Sequence, residues 1–258
     1  MRRAVVVTGG GRGVGRAVAE RLLAAGNAVV VLEQRHEAWL DPLIDQGRAA
    51  LVTGDAGDDD TAAQAAAAAQ ALGALRGWVN NAAVFRDAWL HEAGGAAVAD
   101  LVRANLQPCL AGSAAAIRAF LAAGTGGAIV NVSSHQAQRA VSGALPYATA
   151  KAAVEGLTRS LAVDYGPLGI RVNAVALGSI TTPRMDAALA DMTDAERAAH
   201  ARHMRDLHPL GRAGSGTEAA DAVAYLLSDA ASFITGAVLP VDGGRAAQGP
   251  DPEARRLD

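Results

Sequence analysis

A chain of 258 residues, 51% of them hydrophobic, is long enough for one large α/β domain with a sizeable core. A net charge of −3 argues against a dedicated nucleic-acid binder, and one cysteine, Cys109, excludes an internal disulfide. The apolar runs fall short of the roughly 20 residues of a membrane span, so we expect a cytoplasmic protein without nucleic-acid or membrane partners.

Short apolar runs alternate along the chain with longer helical stretches. The predicted strands are Ala4–Val7, Ala28–Leu32, Ala49–Val52, a strand beginning at Trp78–Val79, Ala128–Val132, Ile170–Val175 and Ala237–Val241. The predicted helices are Gly15–Ala25, an alanine-rich stretch capped by Asp60 or Thr61 and ending at Leu72, Asp100–Ala122, and about Tyr147–Asp164. Because continuously apolar strands alternate with helices, we predict a single doubly wound α/β domain with a parallel sheet of about seven strands.

A glycine-rich turn from Thr8 to Gly15 lies between the first predicted strand and the first predicted helix. Glycines there permit a tight turn and let the backbone approach a pyrophosphate, while the helix N-terminus supplies unpaired N–H groups and a positive dipole end. Glycines are also common in ordinary turns, but a strand before and a helix after favour a dinucleotide site. Three residues separate Gly9 from Gly13, which departs from the common dinucleotide spacing.

Five motifs follow one another along the chain. They are Thr8-Gly9-x-x-x-Gly13-x-Gly15; Asn80–Ala83; Ser134 with Tyr147-x-x-x-Lys151; Asn173–Gly178; and Ser232–Gly244. Together they resemble the short-chain dehydrogenase/reductase family over about residues 3–245. Two positions depart from the family pattern, because Ala83 replaces a glycine and Leu177 replaces a proline that would fix the path of the next loop. The resemblance implies a Rossmann-type fold and an NAD(P)(H)-dependent oxidoreductase acting on a secondary alcohol or ketone.

The resemblance assigns catalysis to Asn105, Ser134, Tyr147 and Lys151. Tyr147 and Lys151 are four residues apart on one helix face, and a nearby ammonium favours the phenolate, so we expect a lowered pKa for Tyr147. Tyr147 then protonates the substrate oxygen in ketone reduction and takes the proton in alcohol oxidation, with a hydrogen bond from Ser134. Asn105 is implied as the holder of a water relay to Lys151. Ser133, by contrast, is expected to form a hydrogen bond with the backbone.

The cofactor contacts also come from the resemblance. They are Gly9, Gly11, Arg12, Gly13, Val14 and Gly15 in the turn; Glu33; Asp55 and Ala56 at the adenine; Asn81 beside the ribose; Tyr147 and Lys151; and Ile180 and Thr182 at the nicotinamide carboxamide.

Two residues, Glu33 and Arg12, predict opposite preferences between NAD(H) and NADP(H). Glu33 ends the second strand, 18 residues after Gly15, where an acid binds the ribose hydroxyls and repels a 2′-phosphate. In the family, a basic residue at the position of Arg12 often accompanies NADP, and Arg35 stands close enough in sequence to assist it. Because Glu33 blocks the phosphate directly, whereas Arg12 can swing into solvent, we predict NAD(H), with NADP(H) possible.

The substrate remains open beyond a small alcohol or ketone. Candidate pocket residues are His135, Gln136, Gln138, Trp89, and a lid at 183–212 that carries Met185, Met192 and Met204. His135 fits an exposed loop equally well. His200 and His203 have no third ligand nearby, so we predict no metal site. The tail, residues 246–258, is rich in proline, glycine and charge and is expected to be mobile or an interface arm.

Small residues in the helices Asp100–Ala122 and Tyr147–Asp164 permit close helix–helix approach. In the family such helices form one dimer interface and the C-terminal strand a second, so we predict a homotetramer. The alternative is that these residues pack inside one subunit. Two other functions stay open: an NADPH-dependent ketoacyl-type reductase, and a catalytically silent cofactor-binding scaffold, against which the presence of all four catalytic residues argues.

Overall fold

The computed structural model describes residues 2–249, which fold around one central sheet. Its strands are β1 Arg3–Thr8, β2 Ala28–Glu33, β3 Ala49–Thr53, β4 Ala74–Asn80, β5 Gly127–Ser134, β6 Ile170–Leu177 and β7 Val238–Val241. All neighbours pair in parallel, in the order β3-β2-β1-β4-β5-β6-β7. The predicted doubly wound parallel sheet of about seven strands is confirmed.

Eight helices connect the strands of the described chain. They are α1 Gly13–Ala24, α2 Asp41–Asp45, α3 Asp59–Leu72, α4 Leu90–Ala123, α5 Leu145–Tyr165, α6 Pro183–Ala190, α7 Asp194–Leu207 and α8 Gly216–Leu227. Neither α2 nor α8 was predicted, although Ser215 and Glu218 form a capping box that marks the start of α8. The predicted cap of α3 was wrong, because Asp58 accepts the Thr61 N–H at 2.8 Å.

The alternation of side chains along the strands divides the core into two layers. Ala4 and Val6 of β1 pack on the face covered by α3, α4 and α5, whereas Val5 and Val7 pack on the face covered by α1 and α8. Strands β1 and β2 are buried on both faces, and their interiors are apolar throughout, as their sequences indicated.

Helix α4 is long and apolar enough to cross a membrane by length and composition alone. Half of its most apolar window is buried, with Ala115, Ala116 and Phe120 packed in the core beside β4 and β5. Gly94, at φ +75°, also breaks the helix near its start. Burial of this kind is typical of the core helix of a globular domain.

The strand order reverses between β1 and β4, and the ends of these strands form the crevice where open α/β sheets bind ligands. Thr8 joins the two ends, because its hydroxyl oxygen accepts the N–H groups of Asn81 at 3.0 Å and Ala82 at 3.1 Å. Of the predicted tail, residues 246–249 are described, and Gln248 donates to the Asp206 carbonyl at 2.9 Å. The remainder, 250–258, lies outside the described residues.

Candidate active site

A cavity of about 1000 Å³ lies at the carboxyl ends of the strands, between the glycine turn and helices α6 and α7. Most of the predicted site residues line it: Gly9, Arg12, Gly13, Val14, Gly15, Glu33, Asp55, Ala56, Asn81, Ser134, Tyr147, Lys151, Ile180 and Thr182. Gly11 and Asn105 do not. The topology thus brings together residues that are up to 173 positions apart in the chain, from Gly9 to Thr182.

The glycine turn is built for close approach of backbone to a ligand. Gly9 has φ +63°, and a side chain at Gly15 would overlap the Gly9 carbonyl oxygen and lie 2.5 Å from the amide nitrogen of Asn81. That amide braces the turn, donating to the carbonyls of Thr8 at 3.1 Å and Gly9 at 3.0 Å. No side chain of the described residues caps α1 at Arg12. The exposed N–H groups and positive dipole end therefore suit a pyrophosphate.

Two carboxylates flank Gly11 at the end of β2. Glu33 is held in place by the N–H groups of Gly11 at 3.2 Å and Gln34 at 2.9 Å. Glu37 lies against the other side of Gly11, where a Cβ would be 2.6 Å from its carboxylate. Gly11 therefore positions these acids and does not line the cavity itself, and Glu37 was not identified from the sequence.

The basic residues near this end of the cavity differ in their partners. Arg12 is exposed, lines the cavity, and makes no hydrogen bond or ion pair through its side chain within the described chain. Arg16 is bound to Glu20 at 2.8 Å and lies over the Trp39 ring at 5.0 Å. Arg35 is exposed and does not line the cavity. Only Arg12 is thus placed to meet a phosphate.

Asp55 follows β3 at the far end of the same cavity. Its carboxylate accepts the Gly57 N–H at 2.8 Å, so the residue both caps its loop and faces the space expected for the adenine. The predicted adenine contact and the loop-cap interpretation are compatible in this geometry.

Ser134, Tyr147 and Lys151 meet where β5 ends and α5 begins. All three are buried. The Lys151 ammonium donates to the Val132 carbonyl at 2.7 Å and lies 5.4 Å from the centre of the Tyr147 ring. The one-turn spacing on α5 therefore aims both side chains at the end of β5, as the sequence predicted.

The acid–base chemistry of this group is set first by burial. Burial raises the pKa of Tyr147 above its ordinary value, although a hydrogen bond with the Ser134 side chain acts in the opposite direction. Burial also lowers the pKa of Lys151. The expected lowering of the Tyr147 pKa is therefore wrong for the protein alone, and the phenol is protonated at neutral pH. A positive charge brought close to the phenol would lower its pKa.

Asn105 is buried in the middle of α4 and both ends of its amide bind protein groups. Its oxygen accepts the Val84 N–H at 2.9 Å, and its nitrogen donates to the Leu101 carbonyl at 3.0 Å. Asn105 thereby fastens the segment after β4 to α4. Its predicted part in a water relay to Lys151 stays a prediction.

The loop after β6 keeps a defined path even though Leu177 replaces the family's proline. Gly178 donates to the Val241 carbonyl at 3.0 Å, and Thr181 donates to the Gly214 carbonyl at 2.8 Å. Gly214 in turn donates to the Ser179 carbonyl at 2.9 Å. These backbone bonds hold Ile180 and Thr182 at the cavity.

The lining of the substrate end of the cavity combines apolar and polar side chains. The apolar side chains of this lining, called the apolar wall below, include Val84, Phe85, Val141, Met185, Met204 and Leu207, and its polar side chains include Asp87, His135, Gln136, His203 and Arg245. The rings of Phe85 and Tyr147 are 4.4 Å apart between centroids. Phe85, Asp87 and Arg245 were missed from the sequence, although two follow β4 and one follows β7, at the edge of the sheet where ligands bind.

Three of the predicted pocket residues lie elsewhere. Trp89, Gln138 and Met192 do not line the cavity, and the amide of Gln138 instead donates to Glu155 at 3.1 Å. Ser133 bonds the same buried carboxylate at 3.2 Å as well as the Lys151 carbonyl at 3.4 Å, so its expected backbone bond is only part of its role. No cluster of metal-ligating side chains occurs within residues 2–249.

Comparisons with known proteins cover nearly the whole chain. A family model described as Enoyl-(Acyl carrier protein) reductase matches residues 9–246. The 2,5-dichloro-2,5-cyclohexadiene-1,4-diol dehydrogenase of Sphingobium indicum is 37% identical, over 94% of this chain and 96% of that protein. The cis-4-hydroxycyclohexanecarboxylate dehydrogenase of Sinomonas cyclohexanicum is 42% identical, over 95% of this chain and 97% of that protein. The structure of a gluconate 5-dehydrogenase from Burkholderia cenocepacia in complex with NADP and tartrate matches with a TM-score of 0.83 and 32% identity, over 96% of both chains.

These similarities agree with the site built from the residues. A dinucleotide crevice, a buried tyrosine–lysine–serine group and relatives that are dehydrogenases of hydroxyl compounds all indicate one chemistry. The chain therefore belongs to the short-chain dehydrogenase/reductase family and is an NAD(P)-dependent oxidoreductase acting on CH–OH groups.

Proposed function

We propose that the protein is an NAD(H)-dependent dehydrogenase that interconverts a secondary alcohol and a ketone on a small carbon ring. The observation that carries this proposal is the position of the Tyr147 and Ser134 side chains, which line one cavity with both the glycine turn and the apolar wall. The Sphingobium and Sinomonas relatives are named for hydroxylated cyclohexadiene and cyclohexane compounds, and an apolar wall of Phe85, Met185 and Met204 suits such a ring.

The residues around the crevice fit a dinucleotide. The nicotinamide, when bound, supplies or accepts the hydride. The turn Gly9–Gly15 and the start of α1 bind the pyrophosphate, Asp55 and Ala56 contact the adenine, Asn81 stands beside the ribose, and Ile180 and Thr182 hold the carboxamide. The uncapped N-terminus of α1 supports this assignment.

Tyr147 moves the proton at the substrate oxygen. In ketone reduction its hydroxyl donates the proton, and in alcohol oxidation its phenolate accepts it. Ser134 donates a hydrogen bond to the same oxygen and thereby fixes the position of the substrate. Lys151 places its ammonium near the phenol and favours the phenolate, and Asn105 fixes α4 and the segment at Val84 beside it.

The two carboxylates at Gly11 support NAD(H) over NADP(H). Glu33 is fixed by two backbone N–H groups and can accept hydrogen bonds from ribose hydroxyls, while a 2′-phosphate would meet its charge, with the charge of Glu37 nearby against Gly11. Arg12 is the observation that favours the second candidate, an NADPH-dependent ketoacyl-type reductase, because it lines the cavity without an acidic partner in the described chain. We weigh the fixed acids more heavily than an exposed arginine.

The assembly we propose is a homotetramer in the cytoplasm. The small residues of α4 and α5 divide between two roles: Ala111, Gly112 and Ala115 pack inside the subunit, whereas Ala152 is exposed, as is Val163 on the same helix. Phe233 is fully exposed just before β7, which is an edge strand of the sheet. Exposed apolar side chains next to a sheet edge favour burial against a second copy. Residues 183–212 form the lid in this proposal, with α6 and α7 over the substrate.

Turnover of a panel of cyclohexanols and cyclohexanones with each nicotinamide tests this function. We expect reduction or oxidation of ring compounds with a preference for NAD(H), and slower reaction of open-chain alcohols. Binding of NADH without turnover of any alcohol or ketone would contradict the proposal and favour the silent scaffold. A preference for NADPH with acyl thioesters would favour the ketoacyl-type reductase.

A further inference from the structure

The substrate end of the cavity contains a guanidinium that has no carboxylate partner in the described chain. Arg245 follows the turn after β7, is partly buried, and lines the cavity. Its guanidinium donates to the Ser179 hydroxyl at 3.1 Å, and no carboxylate oxygen of residues 2–249 lies within 4.0 Å of it. Asp242, the acid closest to it in sequence, spends its two oxygens on the N–H groups of Gly244 at 3.0 Å and Ala246 at 2.7 Å.

Two further polar atoms beside this cation have no partner in the described residues. His135 Nδ1 and Gln136 Oε1 are both buried and unbonded, and both residues line the cavity. Burial and the positive charge of Arg245 lower the pKa of His135 to about 4, so its imidazole is neutral at neutral pH. The neutral imidazole of His135 is therefore close enough to the positive charge of Arg245 to feel it, and both residues line the same cavity.

The acids of the cavity lie in other places. Glu33 and Asp55 line the end expected for the adenosine, and Asp87 is exposed on the wall next to Gly143. Burial lowers the pKa of the Arg245 guanidinium, and the negative charge of Asp242 offsets this only in part, so a carboxylate of a ligand would compensate the cation further. The planar fork of arginine also matches a carboxylate with two parallel hydrogen bonds.

We propose that Arg245 binds a carboxylate of the substrate, so that the enzyme acts on ring alcohols or ketones that also carry a carboxylate group. This inference rests on the proposed function. The reacting carbon lies beside Tyr147 and Ser134, and the carboxylate lies at Arg245, with His135 and Gln136 completing its hydrogen bonds. Arg245 is therefore a specificity-determining residue of the substrate pocket.

A competing role for Arg245 is purely structural, because its bond to Ser179 fastens the loop after β6. The two roles differ in what they do to neutral ligands. A structural arginine supports charged and uncharged substrates alike, whereas a carboxylate-binding arginine favours only the charged one. Ser179→Ala removes the same hydrogen bond and keeps the positive charge of Arg245, so this variant separates the structural role from the carboxylate-binding role.

The test compares 4-hydroxycyclohexanecarboxylate with its carboxamide, which has nearly the same shape and no charge. We expect the wild type to prefer the carboxylate by at least about tenfold in kcat/KM, the size of a charge-assisted hydrogen bond. Arg245→Met should remove that preference, Arg245→Lys should retain part of it, and Ser179→Ala should leave the ratio unchanged. Arg202→Met, which removes an exposed cation of α7 that does not line the cavity, is the matched control and should also leave it unchanged.

A binding measurement keeps this inference separate from the proposed function. Calorimetry measures the affinities of the NADH-saturated protein for cyclohexanecarboxylate and cyclohexanecarboxamide. The preference for the carboxylate should change among the variants in the same way as it does in kcat/KM. Failure of every alcohol and ketone to react would overturn the proposed function, while the calorimetric difference would still decide the role of Arg245. Equal affinity for the two compounds in the wild type, an equal loss for both in Arg245→Met, or a weaker affinity of that variant for NADH would overturn the inference.

Discussion

Replacement of Glu33 by glutamine tests which nicotinamide the protein uses. The substitution keeps the size of the side chain and an oxygen that accepts the Gly11 N–H, but it removes the charge that we propose faces the ribose. For a phosphate about 5 Å away and an effective dielectric of about 20, Coulomb's law gives roughly 3 kcal/mol of repulsion per unit charge. Glu33 is partly exposed, so salt and solvent reduce this to about 1.5 kcal/mol, or about tenfold in relative affinity.

The assay is the ratio of kcat/KM for NADH to that for NADPH on one ketone. We expect the wild-type ratio to favour NADH and Glu33→Gln to shift it towards NADPH by about tenfold. Because Glu37 remains beside Gly11, the double variant with Glu37→Gln should shift it further. Glu92→Gln, on the exposed start of α4, is the matched control. A wild type that favours NADPH by tenfold or more, or a ratio unmoved by Glu33→Gln, would refute the reasoning and assign control to Arg12.

The other predictions concern assembly and acid stability. Light scattering at micromolar concentration should give a mass about four times the 26.0 kDa of one chain, and a mass of one chain would refute the homotetramer. Burial lowers the pKa of His135 to about 4 from the ordinary value of 6.5, so the unfolded chain binds this proton more readily and stability falls as pH drops from 6.5 towards 4. The melting temperature of His135→Gln should therefore fall less across that pH range than the melting temperature of the wild type. Equal falls in the two proteins would contradict this prediction.

The sequence was most informative where one local feature decides the structure. The glycine turn, the tyrosine–lysine spacing on α5 and the apolar strands all depend on neighbours within one or two turns, and the structure contains each of them. The ends of the strands were predicted less accurately. β4 begins at Ala74 and includes Arg76 and Gly77, which carry no apolar signal but extend the pairing with β1 across an irregular register.

Contacts between distant segments could not be predicted in the same way. Glu37 reaches Gly11 only because the segment after β2 folds back across the turn, and Arg245 reaches Ser179 only because β6 and β7 end side by side. The direction of the Tyr147 pKa shift also failed, since the sequence gives the spacing to Lys151 but not the extent of burial. α8 was overlooked despite its capping box, because its first turn follows a loop rich in glycine and serine.

Replacement of Tyr147 by phenylalanine measures whether this side chain moves the proton while the cofactor moves the hydride. The phenylalanine ring keeps the contacts with Phe85 and Lys151, so the fold and the cofactor pocket should survive. Tyr225→Phe, an exposed tyrosine of α8, is the matched control. We predict that Tyr147→Phe lowers kcat at least about 100-fold, the usual share of general acid–base catalysis, with the Kd for NADH unchanged. Turnover close to that of the wild type and of Tyr225→Phe would contradict the account.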